Sequence, residues 1–492
     1  MRKRTTAARR WLRATQMSMR LSYMFCPALC LMFSLGMTVP EAAAQAPIPS
    51  QAQPATPAHP LALTGTVLTP EGPLKDATVL IEHGLITAVG QKVEIPAGTR
   101  RIDTQGIIAP GFVDLHNHPT WNIFPRWKPA QSFGSRYDWQ ALPMYRTLME
   151  APHRALVEEG LECGMEWYAE VKAAAEGETS IVGGTKEDCG QRLLRNLDQP
   201  GGTDLTGSTA PGAGVIYNVF PFQMTEDELG AAKSTLDHGG ALLIHVSEGA
   251  PGDASAAREF AMLKGRGLLR KGVAVIHGVA LEPDNFREMA EAGVGLVWSP
   301  RSNLELYGGT AQVSAAKAAG VRLAIAPDWS PTGSDGTLAE LNFAAAWNRT
   351  QTPPVFTDRE LVEMATSDAA ALIGMGDRLG ILAPGAEGDV VVLRPHEEYP
   401  GKDAYWSVVH SDARDVELVI THGEIIYGSR QLAAPARHSS AMDAAAVCGE
   451  IMEVEPPPVR TEARSFSELE NRLSFALAEW GRKLAPLAEC GQ

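Results

Sequence analysis

The chain has 492 residues, 45% apolar and 21% charged, which suits one large globular domain with a smaller companion and excludes collagen-like, repeat or disordered architectures. Its formal net charge is −15, and it reaches −21 once residues 1–45, with seven basic residues and Glu41, are set aside. So acidic a surface argues against nucleic acid or anionic membrane as partner and leaves a small molecule; a homo-oligomer is compatible with it.

Residues 1–45 read as a cleaved export signal. Arg2, Lys3, Arg4, Arg9 and Arg10 make a basic start, 21–37 is apolar, and Ala42, Ala43, Ala44 and Ala46 offer small residues for cleavage. The apolar run is short for a membrane span, so the expected location is periplasmic or extracellular, with no membrane attachment after cleavage. Arg9-Arg10 faintly suggests twin-arginine export. Residues 46–60 form a Pro/Ala linker with no core-forming pattern. Four cysteines remain, Cys163, Cys189, Cys448 and Cys490, and no Cys/His cluster suggests a structural zinc site. Of the three pairings open to them, 163 with 189 and 448 with 490 keep each pair within one region of the chain.

Alternating segments at 63–68, 77–82 and 85–89 predict short strands, separated by turns at Pro70-Glu71-Gly72 and His83-Gly84. The same texture returns at 389–393, 416–420 and 424–427. Strand-rich segments at 61–109 and 381–430 are expected to pair as one small β-sandwich. Between them, 110–380 alternates strand-like runs at 107–115, 179–183, 214–220, 241–246, 273–278, 294–298 and 321–326 with helical stretches such as 155–175, 226–237 and 284–292. That alternation predicts an α/β fold, a (β/α)8 TIM barrel, with the eighth strand expected between Gly190 and Leu205. A doubly wound open sheet competes, but no glycine-rich phosphate loop opens the series. Residues 431–492 read as a less regular extension. It ends in an amphipathic helix over 465–485 with Phe466, Leu469, Leu473, Leu477 and Trp480 on one face, packed on the body.

Four places carry chemistry. Pro110-Gly111-Phe112-Val113-Asp114-Leu115-His116-Asn117-His118 ends an apolar run in two histidines that alternation turns to one side, where they can share a divalent ion. His245 ends the run Leu243-Ile244 and can add a third nitrogen; Glu248, three residues on, can move a proton beside the ion. His277 ends Val275-Ile276 and can contact the substrate or add a ligand. Asp328, after Ala326-Pro327, ends the last strand and can bind the ion and take up a water proton. Each residue also has a plainer reading, as packed histidine, solvated loop acid or helix cap. Trp121, Trp298, Tyr307 and Trp329 lie beside these positions, where they can line an aromatic pocket or simply pack. Arg301 could meet an anionic group, although a surface role suits it better.

These features in this order resemble the amidohydrolase superfamily. The opening 106–118 and the closing segment 379–390, leading back into the sheet, strengthen the likeness, which spans essentially the whole mature chain. The series His245-x-x-Glu248, His277, then Ser299-Pro300-Arg301-Ser302-Asn303-Leu304 is similar to the branch of cytosine, guanine and adenosine-type deaminases and triazine chlorohydrolases. The resemblance implies one divalent ion, zinc ahead of iron, held by His116, His118, His245 and Asp328. Two-metal members bridge their ions with a carboxylated lysine on the fourth strand; 214–220 has no lysine, and neither Lys172 nor Lys186 is well placed. It further implies that the ion acidifies a water, that Asp328 takes up its proton, that Glu248 passes a proton to a ring nitrogen, and that His277 steadies developing charge. The expected activity is hydrolysis of a non-peptide carbon–nitrogen bond, the deamination of a cyclic amidine or N-heterocycle. Alternatives are an amidase, lactamase or dipeptidase-like enzyme on the same scaffold, or an exported binding protein without catalysis.

Overall fold

A computed structural model describes residues 60–206, 212–396, 399–433 and 442–490. The predicted export signal and nearly all of the linker lie outside them. Near the start, aliphatic and β-branched alternation gives four strands, β1 Leu61–Thr69, β2 Gly72–Glu82, β3 Leu85–Gly90 and β4 Arg100–Pro110. The middle supplies eight short parallel strands, β5 Phe112–Val113, β6 Glu178–Ile181, β7 Arg195–Asn196, β8 Val215–Asn218, β9 Ala241–Val246, β10 Val273–His277, β11 Gly295–Trp298 and β12 Leu323–Ile325. They pair in two runs, β5-β6-β7 and β8-β9-β10-β11-β12, and a parallel bridge from Asn117 to Asp328 joins the ends of the first and last. With helices between β5 and β6 and between successive strands from β8 to β12, this is a TIM barrel of α/β character. The eighth strand does fall between 190 and 205, as β7, only two residues long.

After the barrel the chain returns to the first sheet. Strands β13 Val390–Leu393, β14 Val416–Thr421, β15 Glu424–Ser429, β16 Asp443–Val447 and β17 Glu450–Val454 extend it to nine, in the order β16-β17-β15-β14-β13-β4-β1-β2-β3. The join is antiparallel, with Val390 opposite Pro110 and Leu393 opposite Ile107. The segments on either side of the barrel therefore share one sheet.

Three local expectations change. The strand expected at 107–115 is divided at Gly111, where the chain leaves the sheet for the barrel. A Cβ at Gly111 would lie 2.2 Å from Thr179 Cγ2, so only glycine allows that approach. The helix expected at 155–175 is two, Ala151–Glu158 and Glu162–Ala175, broken at Gly160 with φ +76°. The extension after 431 is more regular than expected, because the alanine-rich β16 carries a weak strand signal but finds an edge in β17. Its helix, Phe466–Glu479, buries Phe466, Leu469, Leu473 and Leu477, and Phe466 stacks on Tyr168 with ring centroids 5.8 Å apart. Trp480 follows the helix and is 45% exposed, outside the predicted apolar face.

Both expected disulfides form, Cys163–Cys189 and Cys448–Cys490. Lys172 is buried, pairs with Asp335 at 2.7 Å and donates to the Pro486 carbonyl at 2.8 Å. It serves the packing of the C-terminal segment. Lys172→Met is expected to leave Asp335 as an uncompensated buried charge and to cost about 3–5 kcal/mol, read as a lower urea midpoint. Among the described residues no helix is long and apolar enough to cross a membrane.

Candidate active site

The strand ends β5, β9, β10 and β12 open on the same side of the barrel, and their side chains meet there. His116 and His118 follow β5, His245 lies within β9, His277 closes β10 and Asp328 follows β12. His116 Nε2 is 3.1 Å from His245 Nε2 and 3.1 Å from Asp328 Oδ1, while His118 Nε2 lies 3.3 Å from the same oxygen. All but His118 are fully buried. His277 and Asp328 adopt φ of +69° and +71°, backbone that costs on the order of 1–3 kcal/mol for non-glycine residues and is retained where a site needs it.

Hydrogen bonds behind the site fix these groups. His116 Nδ1 meets Ser299 Oγ at 2.7 Å, which suits the tautomer that donates from Nδ1 and leaves the Nε2 lone pair facing the other donors. Ser302 Oγ donates to Asp328 Oδ2 at 2.5 Å. Thr310 Oγ1 accepts from both Trp298 Nε1 (2.7 Å) and Asn303 Nδ2 (3.2 Å), which turns the Asn303 oxygen toward His277 Nδ1 at 2.8 Å. The segment 299–304, singled out for its likeness to the deaminases, thus orients three of the site side chains from one turn.

Burial sets the protonation states. It pushes His116 down to about 4 and His245 well below the usual range, the latter helped by the other imidazoles. Burial alone would raise Asp328, but His116 and His118 facing it hold its carboxyl well below the ordinary value. Unprotonated His116 and His245 beside an ionised Asp328 suit the donor set of a divalent zinc-type ion. The spacing agrees, since a tetrahedral ion with bonds of about 2.0–2.1 Å holds its donors roughly 3.3 Å apart. His245 Nδ1, buried without a hydrogen-bond partner, leaves Nε2 as that ring's one engaged nitrogen. His277 also offers a donor to His116 and Asp328 on one side and to His245 and Glu248 on the other. Strand β8, facing the site with Tyr217, carries no lysine, and the Tyr217 hydroxyl sits 3.3 Å from His118 Nε2.

Glu248 is held opposite the histidines. Trp139 Nε1, a donor only, gives its hydrogen to the Tyr307 oxygen at 3.0 Å, so the Tyr307 O–H donates onward to Glu248 Oε1 at 2.6 Å. Burial raises Tyr307 well above its ordinary range, and it stays a phenol. On the other oxygen, Glu248 Oε2 lies 3.3 Å from Arg136 Nη1 and 3.6 Å from His277 Nε2. Backbone pairing of Ser135 with Gly249 brings the Arg136 segment into place. Arg136 escapes a sequence reading because it lies in the irregular stretch between β5 and the first long helix, where no periodicity points inward.

The cleft above this floor has a volume of about 160 Å³. Trp121 and Trp329 line it, as anticipated, and are joined by Trp139, Tyr145 and Phe220. Trp298 does not reach it. Its ring is fully buried against Trp347 and Phe356, and its role is the bond to Thr310. Tyr307 also stands behind the wall, as the support of Glu248. Arg301 is half-buried and pairs with Glu489 at 3.1 Å, away from the cleft.

Comparison with known proteins agrees with the fold. The amidohydrolase family model matches residues 107–426. A 5-methylthioadenosine/S-adenosylhomocysteine deaminase from Symbiobacterium thermophilum is 26% identical over 408 residues, which cover 74% of this chain and 92% of that protein. Among solved structures, an adenosine deaminase from Xanthomonas campestris with bound zinc superposes with a TM-score of 0.61 at 19% identity, covering 76% of this chain and 95% of that one. An atrazine chlorohydrolase from Arthrobacter aurescens TC1 complexed with zinc gives 0.59 at 20% identity, covering 74% and 95%. The chain belongs to the amidohydrolase family and is a hydrolase acting on carbon–nitrogen bonds.

Proposed function

We propose that the protein deaminates a small N-heterocycle, using one divalent ion, zinc ahead of iron, held by His116, His118, His245 and Asp328. The observation that carries this reading is the meeting of three imidazole nitrogens and the Asp328 carboxylate opposite the supported acid Glu248. When bound, the ion supplies a water of near-neutral pKa as nucleophile. Asp328, ionised and steadied by Ser302, takes up a proton from the attacking water. Glu248, held by Tyr307 and Arg136, passes a proton to the ring nitrogen and recovers one from the hydroxyl of the adduct, while the proton held by Asp328 goes to the departing amine. His277, donating from Nδ1 to Asn303, presents Nε2 beside Glu248, where it meets charge developing on the substrate. The name carried by the Symbiobacterium relative supports deamination. An acyl-amide hydrolase would have less use for an acid clamped in this way.

From the basic start, apolar run and small-residue site of residues 1–45, we also propose that the protein acts outside the cytoplasm, as a periplasmic or extracellular enzyme. We further assign residues 110–380 to the barrel, with 61–109 and 381–430 as two halves of a composite β-sandwich and 431–492 as an extension. The sandwich is supported by one apolar layer that holds Leu63 and Val79, from before the barrel, together with Val392, Leu418 and Ile420, from after it, on strands two to four places apart in the sheet.

The test is ammonia release by the zinc-loaded protein from aminopyrimidines, aminotriazines and aminopurines. Release from any of these groups is the expected result. Cleavage of acyl amino acids, lactams or dipeptides with no ammonia from the heterocycles would move the activity to the amidase side. Removal of metal by a chelator is expected to abolish turnover, and added zinc to restore it.

A further inference from the structure

The walls of the cleft say what kind of ring it accepts, given the deaminase reading on which this inference rests. Trp121 meets Trp329 edge-on at 6.0 Å, Trp329 tilts against Trp139 at 5.6 Å, and Trp139 meets Tyr145 edge-on at 5.1 Å. This aromatic wall is pre-set. Trp121 is stacked at 3.9 Å on His153, which is bonded to Thr120, while Trp329 donates to Thr332 and Trp139 to Tyr307. Phe220, Val219 and Leu306 complete the apolar lining.

The polar side of the lining is short. Its carboxylates are Glu248 and Asp328 alone, both committed to the floor, and among the described residues no lysine or arginine lines it. Arg136 is buried behind Phe220 and spent on Glu248 and the Val219 carbonyl, so it cannot reach a substrate carboxylate or phosphate. Gln140 is the one uncharged amide. Beyond the floor, the lining offers a sugar diol or an amino-acid tail only the Gln140 amide and the Tyr145 hydroxyl, and a polar group left unpaired against the aromatic wall is discriminated strongly. The volume points the same way, since about 150 Å³ of apolar cavity accommodates a benzene ring.

The geometry points to a compact, uncharged heteroaromatic with apolar substituents as the substrate, not a nucleoside and not an anionic ring. On this account the chain departs from the substrates named for its Symbiobacterium relative.

The experiment compares, on the zinc-loaded full chain, sugar-free aminopyrimidines and aminotriazines with adenosine and 5-methylthioadenosine, and with S-adenosylhomocysteine. The expected kcat/KM is at least about 100-fold higher for the sugar-free rings, with the charged-tail nucleoside lowest. Nucleoside turnover equal to or faster than that of the rings would overturn this substrate class while leaving the deaminase reading intact. If no compound releases ammonia, the deaminase reading fails. Calorimetric binding of the same compounds then still ranks them, and equal or tighter binding of nucleosides would overturn the inference. Phe220→Ala, at a residue 36% exposed, is expected to lower kcat/KM for the rings about tenfold through KM, with the melting temperature measured alongside. An unchanged value would remove Phe220 from the wall.

Discussion

Asp328→Asn is expected to lower kcat by at least about a thousandfold while the melting temperature moves little. Asparagine fills the same volume and keeps an oxygen for Ser302 Oγ, so the fold has no reason to change. It removes, however, the carboxylate that faces both His116 and His118. That one group is assigned two tasks, binding the ion and taking up a proton, and an amide does the first poorly and the second not at all. The outcome is read by steady-state kinetics with saturating zinc and by circular dichroism. Retention of more than a tenth of the activity would take Asp328 out of the proton path.

Glu248→Gln is expected to slow deamination about 100- to 1,000-fold, with KM changed much less. Glutamine can still accept from Tyr307 and occupy the space, but it carries no proton to the ring nitrogen. It also leaves Arg136 facing a neutral amide, with Glu259 at 3.9 Å as its remaining acid. Kinetics on the best heterocycle, and on any amide substrate found, separate the two chemistries. If the variant keeps near-wild-type rates on the true substrate, the deaminase assignment is wrong.

Much of this architecture could be read from residues. His116, His245, His277 and Asp328 each stand at or just past the end of a short apolar run, and a run that ends in one polar residue marks a strand tip that needs a partner. The alternation of runs and helices located seven barrel strands. The eighth, β7, was bracketed only by an interval because two residues leave no period to see, and its Arg195 is spent on Glu387 and Asp389. What stayed hidden follows from physics of the same kind. Trp139, Tyr145 and Arg136 belong to the irregular stretch after β5, where only tertiary pairing, such as Ser135 with Gly249, decides which side chains turn inward. Ser299, Ser302 and Asn303 stood out as a motif, but their separate tasks depend on which atom faces which ring. Trp298, which the sequence left open between pocket and packing, is decided by strand alternation, which sends it away from the site and against Trp347.

The account turns on a single ion held by His116, His118, His245 and Asp328. Elemental mass spectrometry of the purified protein measures this directly, alongside the His116→Ala variant. The prediction is close to one zinc or iron per chain, lost in the variant. Two ions per chain would mean that a bridging ligand completes a second site and that the substrate search belongs among acyl amino acids, lactams and peptides. No bound metal, with activity intact, would contradict the account outright.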